Sequence, residues 1–253
     1  MKRAFFLLCT VALTSTSIQA CGYGRPDPVR QFLSAKSILI GKVVRFENRM
    51  VHLKTHPKAK QATPFVIAVV KIDEDIKGFG GLTHVRVAQL QGQYIPQGKQ
   101  VCLLLQPHHR APVHVLSQFS RRSMIVNQLK GKFAREVMPF RKLANLSQDP
   151  VRGLHAKDLE TRLTSLALVW QMNNRQALNR FSKEVRRAML STLMDAQNWQ
   201  SRIDLTAYMT PFSVCFSLGT GERAAWVNRQ VKTMNDRIQL AKAWCQKELD
   251  AIN

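Results

Sequence analysis

From Ser37 to Leu116 five short apolar segments follow one another: SILIGKVV (37–44), PFVIAVVKI (64–72), THVRVA (83–88), QVCLLL (100–105) and PVHVL (112–116). Each is rich in β-branched residues and bounded by Gly, Pro or polar residues, which is the signature of strands. THVRVA also alternates apolar with polar at the period of a half-buried strand. Between them, Lys77-Gly78-Phe79-Gly80-Gly81 and Pro96-Gln97-Gly98-Lys99 supply glycines for reversals that need positive φ. No helical pattern separates the strands, so the βαβ crossovers of a parallel sheet are excluded. The expectation is a five-stranded antiparallel sheet closed into a small barrel. Ahead of it, Asp27-Pro28 reads as an N-cap followed by proline at the first helical position, opening a short helix through Val29, Phe32 and Leu33.

Beyond about residue 120 the period changes. Leu159, Leu163, Leu166 and Trp170 recur at three- and four-residue intervals and predict a helix over 157–172. Leu178, Phe181, Val185 and Met189 predict a second, capped by Asn173 or Asn174. Val227, Val231, Met234, Ile238, Ala241 and Cys245 predict a long one from Gly221 towards Leu249, with Thr220 as its N-cap. The fold class is therefore α+β: a β domain over 21–118, a basic connector with one helix over 119–150, and an all-helical domain over 151–253.

The first twenty residues have the layout of a secretory signal: Lys2 and Arg3, an apolar run from Ala4 to Leu13, then small and polar residues to Ala20. That run is far shorter than the roughly 20 residues a bilayer span needs, and no later run approaches that length. An exported protein, periplasmic or extracellular, is expected, with Cys21 as the first mature residue. The alternative is a lipoprotein anchored through Cys21, although Gln19 stands where a lipoprotein signal has a small or apolar residue. Cys9 leaves with the signal, and Cys21, Cys102, Cys215 and Cys245 remain. In an oxidising compartment these suggest two disulfides. Three pairings are open, and one bridge per half gives Cys21 to Cys102 and Cys215 to Cys245.

Residues 21–107 resemble the netrin-like modules related to tissue inhibitors of metalloproteinases. The resemblance rests on an N-terminal cysteine, a short helix, the Ile40-Gly41-Lys42-Val43-Val44 strand and a long apolar strand leading into Ile76-Lys77-Gly78. It extends through Ile95-Pro96-Gln97-Gly98-Lys99-Gln100-Val101-Cys102-Leu103. It implies a five-stranded OB-type barrel flanked by helices, an N-terminal Cys21 bonded to Cys102, and inhibition of a metalloprotease through the amino group and carbonyl of Cys21. The inhibitors begin Cys-x-Cys where this chain has Cys21-Gly22-Tyr23-Gly24, so inhibition stands here as the alternative function.

Charge is the most unusual property: 38 basic residues against 16 acidic ones, a net charge of +22. Such a surface attracts polyanions. Lys54, Lys58 and Lys60 fall in one loop, LKTHPKAK (53–60), and Arg121, Arg122, Lys130 and Lys132 form a second cluster opposed only by Glu136. These residues, with Cys21, are the candidate binding residues. The candidate partners are a protein or a polyanion: a glycan, a lipid head group or nucleic acid.

Catalytic signals are weaker. There is no G-x-S-x-G, and Cys215 has no adjacent histidine to generate a thiolate. His108, His109 and His114 lie close in sequence but lack a nearby carboxylate. They read as turn histidines, not metal ligands. Asp73-Glu74-Asp75 reads as a solvated turn at a strand end, paired with Lys71 and Lys77. Gly219-Thr220-Gly221-Glu222 lacks the rest of a phosphate-binding fingerprint. No cofactor or metal is expected. The leading reading is an exported, non-enzymatic binding protein acting through basic surfaces; an unrecognised hydrolase is the remaining alternative.

Overall fold

A computed structural model describes residues 27–252, apart from 91–94, 96, 118–123, 126–129, 174, 207–208, 220, 223–225 and 227–232; for 124–125 and 130–135 it describes the backbone alone. The strands are β1 (Ser37–Phe46), β2 (Val51–Leu53), β3 (Thr63–Lys77), β4 (His84–Leu90), β5 (Gln100–Pro107), β6 (His114–Leu116) and β7 (Met124–Ile125). The helices among the described residues are α1 (Pro28–Ser34), α2 (Lys130–Gln148), α3 (Pro150–Gly153), α4 (Leu159–Met172), α5 (Lys183–Met194), α6 (Pro211–Leu218) and α7 (Met234–Ile252). The protein is thus α+β, with a closed five-stranded barrel in the N-terminal half and helices mostly in the C-terminal half.

The barrel closes because β1 has partners on both edges. It pairs with β3, Ile40 opposite Glu74 and Val43 opposite Val70, and with β5, Leu39 opposite Leu103 and Gly41 opposite Val101. Around the ring the order is β1, β3, β4, β6, β5 and back to β1, with β2 and β7 as short additions to β3 and β5. The expectation of an all-antiparallel barrel fails at one seam, where β4 and β6 run parallel, Val87 opposite His114. Parity is the reason. Strand directions cannot alternate around a ring with an odd number of members, so a closed five-stranded barrel must contain a parallel seam.

Burial explains the composition of β1. Leu39 and Val43 point into the barrel with Val70, Val85, Val87, Val101, Leu103 and Leu105. Ile38 and Ile40 point outward, where they join Cys102 and Leu104 of β5 beneath α1 and α2, packed with Phe32, Val137, Phe140 and Leu168. A strand covered on both faces reads as a continuous apolar run, as SILIG does. By contrast β4 turns Val85 and Val87 inward and leaves His84 and Arg86 exposed, which is the alternation seen in the sequence.

Local chemistry sets the ends of these elements. Asp27 caps α1 by accepting a hydrogen bond from the Arg30 amide at 3.0 Å. Gly78, Gly80, Gly81 and Gly98 all have positive φ, as their turns require. The acidic run is not a solvated turn, because β3 continues through it to Lys77. Glu74 accepts two hydrogen bonds from the Arg141 guanidinium of α2, one of them 2.8 Å, and Asp75 accepts from the Phe79 and Gly80 amides at 3.0 Å each. Lys77 turns back under α1 and donates from Nζ to the carbonyls of Phe32 (2.8 Å) and Ala35 (2.7 Å), with the Phe32 ring below it. Burial, with Lys36 acting in the same direction, lowers its pKa to about 8.

The helical half departs from expectation at two boundaries. Asn173 ends α4 by donating from its side chain to the Val169 carbonyl, and Arg175 reverses the chain at φ 58, so the next helix starts later, at Lys183 behind a Ser182 cap. The expected cap Thr220 lies outside the described residues, and Gly221 and Glu222 form a turn. Thr233 caps α7 instead, exchanging reciprocal backbone-to-side-chain hydrogen bonds with Asp236 at 3.0 and 3.1 Å. The stretch read as a connector with one helix contributes β7 and the 19-residue α2, which carries an internal Pro139. Beyond α3, the helices enclose their own core around Leu166, Met189, Leu193, Val214, Cys215 and Cys245.

Gly41 lies close against β3: a Cβ added there would run into the Lys71 carbonyl and crowd Val70. Gly41→Ala should therefore destabilise the barrel by about 1–3 kcal/mol or more through overpacking, read as a fall in the urea midpoint with little change in slope.

Candidate basic binding surface

Two connections meet at one end of the barrel. The first runs from β1 to β3 through β2 and carries Arg49, Lys54, His56, Lys58 and Lys60; the second runs from β5 to β6 over 108–113 and carries His108, His109 and Arg110. They share an apolar floor, in which Val113 and Ala111 of the second pack with Val51 and Leu53 of β2 over Phe65, Ile67 and Ala88.

His108 fastens one loop to the other. Its Nδ1 accepts from the backbone amides of Arg110 (3.2 Å) and Ala111 (3.0 Å), which places the ring proton on Nε2. Nε2 then donates to the Lys54 carbonyl at 2.9 Å. His109 stacks beside it with ring centroids 4.2 Å apart. Its pKa is lowered, first by desolvation and then by its neighbours His108, Arg110, His56 and Lys54. His109 therefore feels basic residues of both loops.

No carboxylate offsets them. Residues 48–72 and 76–135 contain neither Asp nor Glu. Among the described residues, none of Lys54, Lys58, Lys60 and Arg110 takes part in an ion pair. His56, Lys58, Lys60, His109 and Arg110 are exposed, and Lys54 is half-buried. Nearby, Glu47 is engaged by Arg86 in a two-pronged pair at 2.7 and 2.8 Å, so this acid does not neutralise the loops.

The other sequence candidates are placed differently. Cys21, Arg121 and Arg122 lie outside the described residues, and Lys130 and Lys132 stand in the first turn of α2, where only backbone is described. Farther along α2, Arg141 is held by Glu74, and Lys142 by Glu160 (2.9 Å) and Asp204 (3.5 Å). Those two cations tie elements together. Cys102 is fully buried between β5 and the helices, where burial and the Glu74 carboxylate push its pKa up to about 12. Its expected partner, Cys21, falls outside the described residues.

Among the described residues no three His, Cys, Asp or Glu side chains converge on a common point. A cleft of about 400 Å³ beside His155 is lined by Arg162, Glu184 and Arg187, but Arg162 is held by Asp195 at 2.6 Å and Arg187 donates to the Ile252 carbonyl at 3.3 Å. No helix among the described residues is long and apolar enough to cross a membrane. No family model matches the sequence, and no curated protein matches it.

The sequence showed the lysines but not the histidine that organises them, because its partner carbonyl is 54 residues away. His108→Ala removes the acceptor for two amides and the bond to Lys54. It should cost about 1–2 kcal/mol and accelerate hydrogen exchange at the Arg110 and Ala111 amides, while amides of β1 and β5 keep their protection.

Proposed function

We propose that this is an exported, non-enzymatic binding protein whose netrin-like barrel is of OB type and whose two fastened basic loops engage an anionic polymer. The observation that carries this reading is the convergence of Lys54, His56, His109 and Arg110 around the His108 fastening, in two stretches without a carboxylate. The ring order supports the OB assignment: a five-stranded closed barrel with Greek-key connections, in which the loops joining the first strand to the second and the fourth to the fifth are the ones OB folds use on oligonucleotides and oligosaccharides. Counting the barrel strands alone, those are the two loops described above.

The composition of the loops narrows the ligand chemistry. Neither 47–62 nor 108–113 contains Phe, Tyr or Trp, so the stacking platform that OB folds offer to bases is missing. Recognition then rests on phosphate or sulfate charge. A single-stranded nucleic acid and a sulfated polysaccharide of matched charge spacing bind with similar affinity, and binding is steeply salt-dependent because neutralised charges release counterions.

The test is a salt titration of polyanion binding. In Lys54→Gln/Lys58→Gln/Lys60→Gln, the slope of log affinity against log salt should fall by about 2, while the same change at Lys247 and Lys99 leaves it within error. An unchanged slope in the triple variant would overturn the reading.

Binding should also tighten on acidification. In the free protein the His109 pKa lies below its ordinary value. A bound polyanion offsets the surrounding positive charge and raises that pKa, so binding takes up a proton and the affinity rises as pH falls through the histidine range. His109→Gln should flatten this dependence, as measured by fluorescence anisotropy across that range.

A further inference from the structure

Cys215 and Cys245 stand on α6 and α7 with their sulfurs 3.4 Å apart, both fully buried in the helical core. The Cys215 thiol also lies 3.9 Å from the Ala241 carbonyl. Two cysteines from separate helices, 30 positions apart, are thus in sulfur-to-sulfur contact with no other chemistry assigned to them. Both are free thiols in the structure, and a bond requires the sulfurs to close from that contact to roughly 2.05 Å. The inference rests on the proposed export, since such bonds persist in oxidising compartments.

We infer that Cys215 and Cys245 form a disulfide during folding that locks α6 to α7 once the helical core has closed around it. The oxidant is a small-molecule or protein disulfide. One cysteine thiolate attacks it and forms a mixed disulfide, expelling a thiolate; the second cysteine thiolate then attacks the mixed disulfide and expels the other half. In sum, two protein S–H bonds and the oxidant's S–S bond become one protein S–S bond and two free thiols.

Timing follows from burial. In the closed core, burial and then the neighbouring Cys245 push the Cys215 thiol far up from its ordinary pKa, so the attacking thiolate is not available there. Exchange takes place before α6 and α7 dock, and the finished bond is shielded from reductant by the same packing. The bond closes a segment that contains Trp226, whose ring stacks with Phe216 (5.9 Å) and Trp244 (5.5 Å) and covers Gly219 just beyond α6. Its removal is therefore felt as loosening of this aromatic cluster.

The experiment refolds the full chain in a mixture of glutathione and glutathione disulfide, blocks free thiols in denaturant and maps the peptides without reduction. The expected result is a linked Cys215–Cys245 peptide. Reduction in denaturant followed by refolding should lower the melting temperature by roughly 10 °C and red-shift tryptophan emission, whereas in Cys215→Ala/Cys245→Ala, which keeps Cys21 and Cys102, reductant leaves the tryptophan emission unchanged. Alkylation of both cysteines before any reduction, or linkage of either to a different cysteine, would overturn the inference. Equal melting temperatures with and without reductant would do the same.

Discussion

The structure depends on β1 being paired along both edges. Without the β1–β5 seam the sheet would present two open edges and the outward residues Ile38, Ile40, Cys102 and Leu104 would have no common surface on which α1 and α2 could pack. With it, one strand belongs to two cores at once: its inward side chains fill the barrel and its outward ones seat the helices. The close approach of β3 at Gly41 is the geometric cost of that position. The closure also dictates the parallel β4–β6 seam, since five strands cannot alternate around a ring.

That seam shapes the proposed binding surface. The chain must carry β5 into β6 by a short reversal at the barrel end where the long β1-to-β3 connection also lies. The two connections are therefore neighbours in space although distant in sequence. An apolar floor and the His108 bonds fix their spacing. Once fixed, their cations repel one another, which is unfavourable for the free protein and favourable for an anionic partner that relieves it. Elsewhere the barrel and helices use their charges differently: Arg141 with Glu74 and Lys142 with Glu160 and Asp204 are paired across elements, so high net charge does not by itself mark a binding face.

The strands were legible because their composition and their glycine turns agree: each expected segment overlaps an observed strand, and Asp27-Pro28 opens a helix as read. The failures share one physical form. Asp73-Glu74-Asp75 looked like a turn because Glu74 is satisfied by Arg141 and Asp75 by the Phe79 and Gly80 amides, partners that local reading does not supply. The start of α7 was misplaced because an apolar stripe continues upstream of the Thr233–Asp236 cap. Of the binding surface, Lys54, Lys58 and Lys60 were visible as a cluster. Arg110 and the histidines were not joined to them, because only the closed barrel brings the two loops together.

The central claim is that these two loops together form the binding face. The direct measurement is a two-dimensional amide NMR titration of the full chain with a short sulfated oligosaccharide and, separately, with a single-stranded oligonucleotide. The account predicts that both ligands move the same resonances, those of residues 47–62 and 108–113, and that added salt reverses the shifts. Perturbations confined to the helical half, or a different set for each ligand, would contradict it.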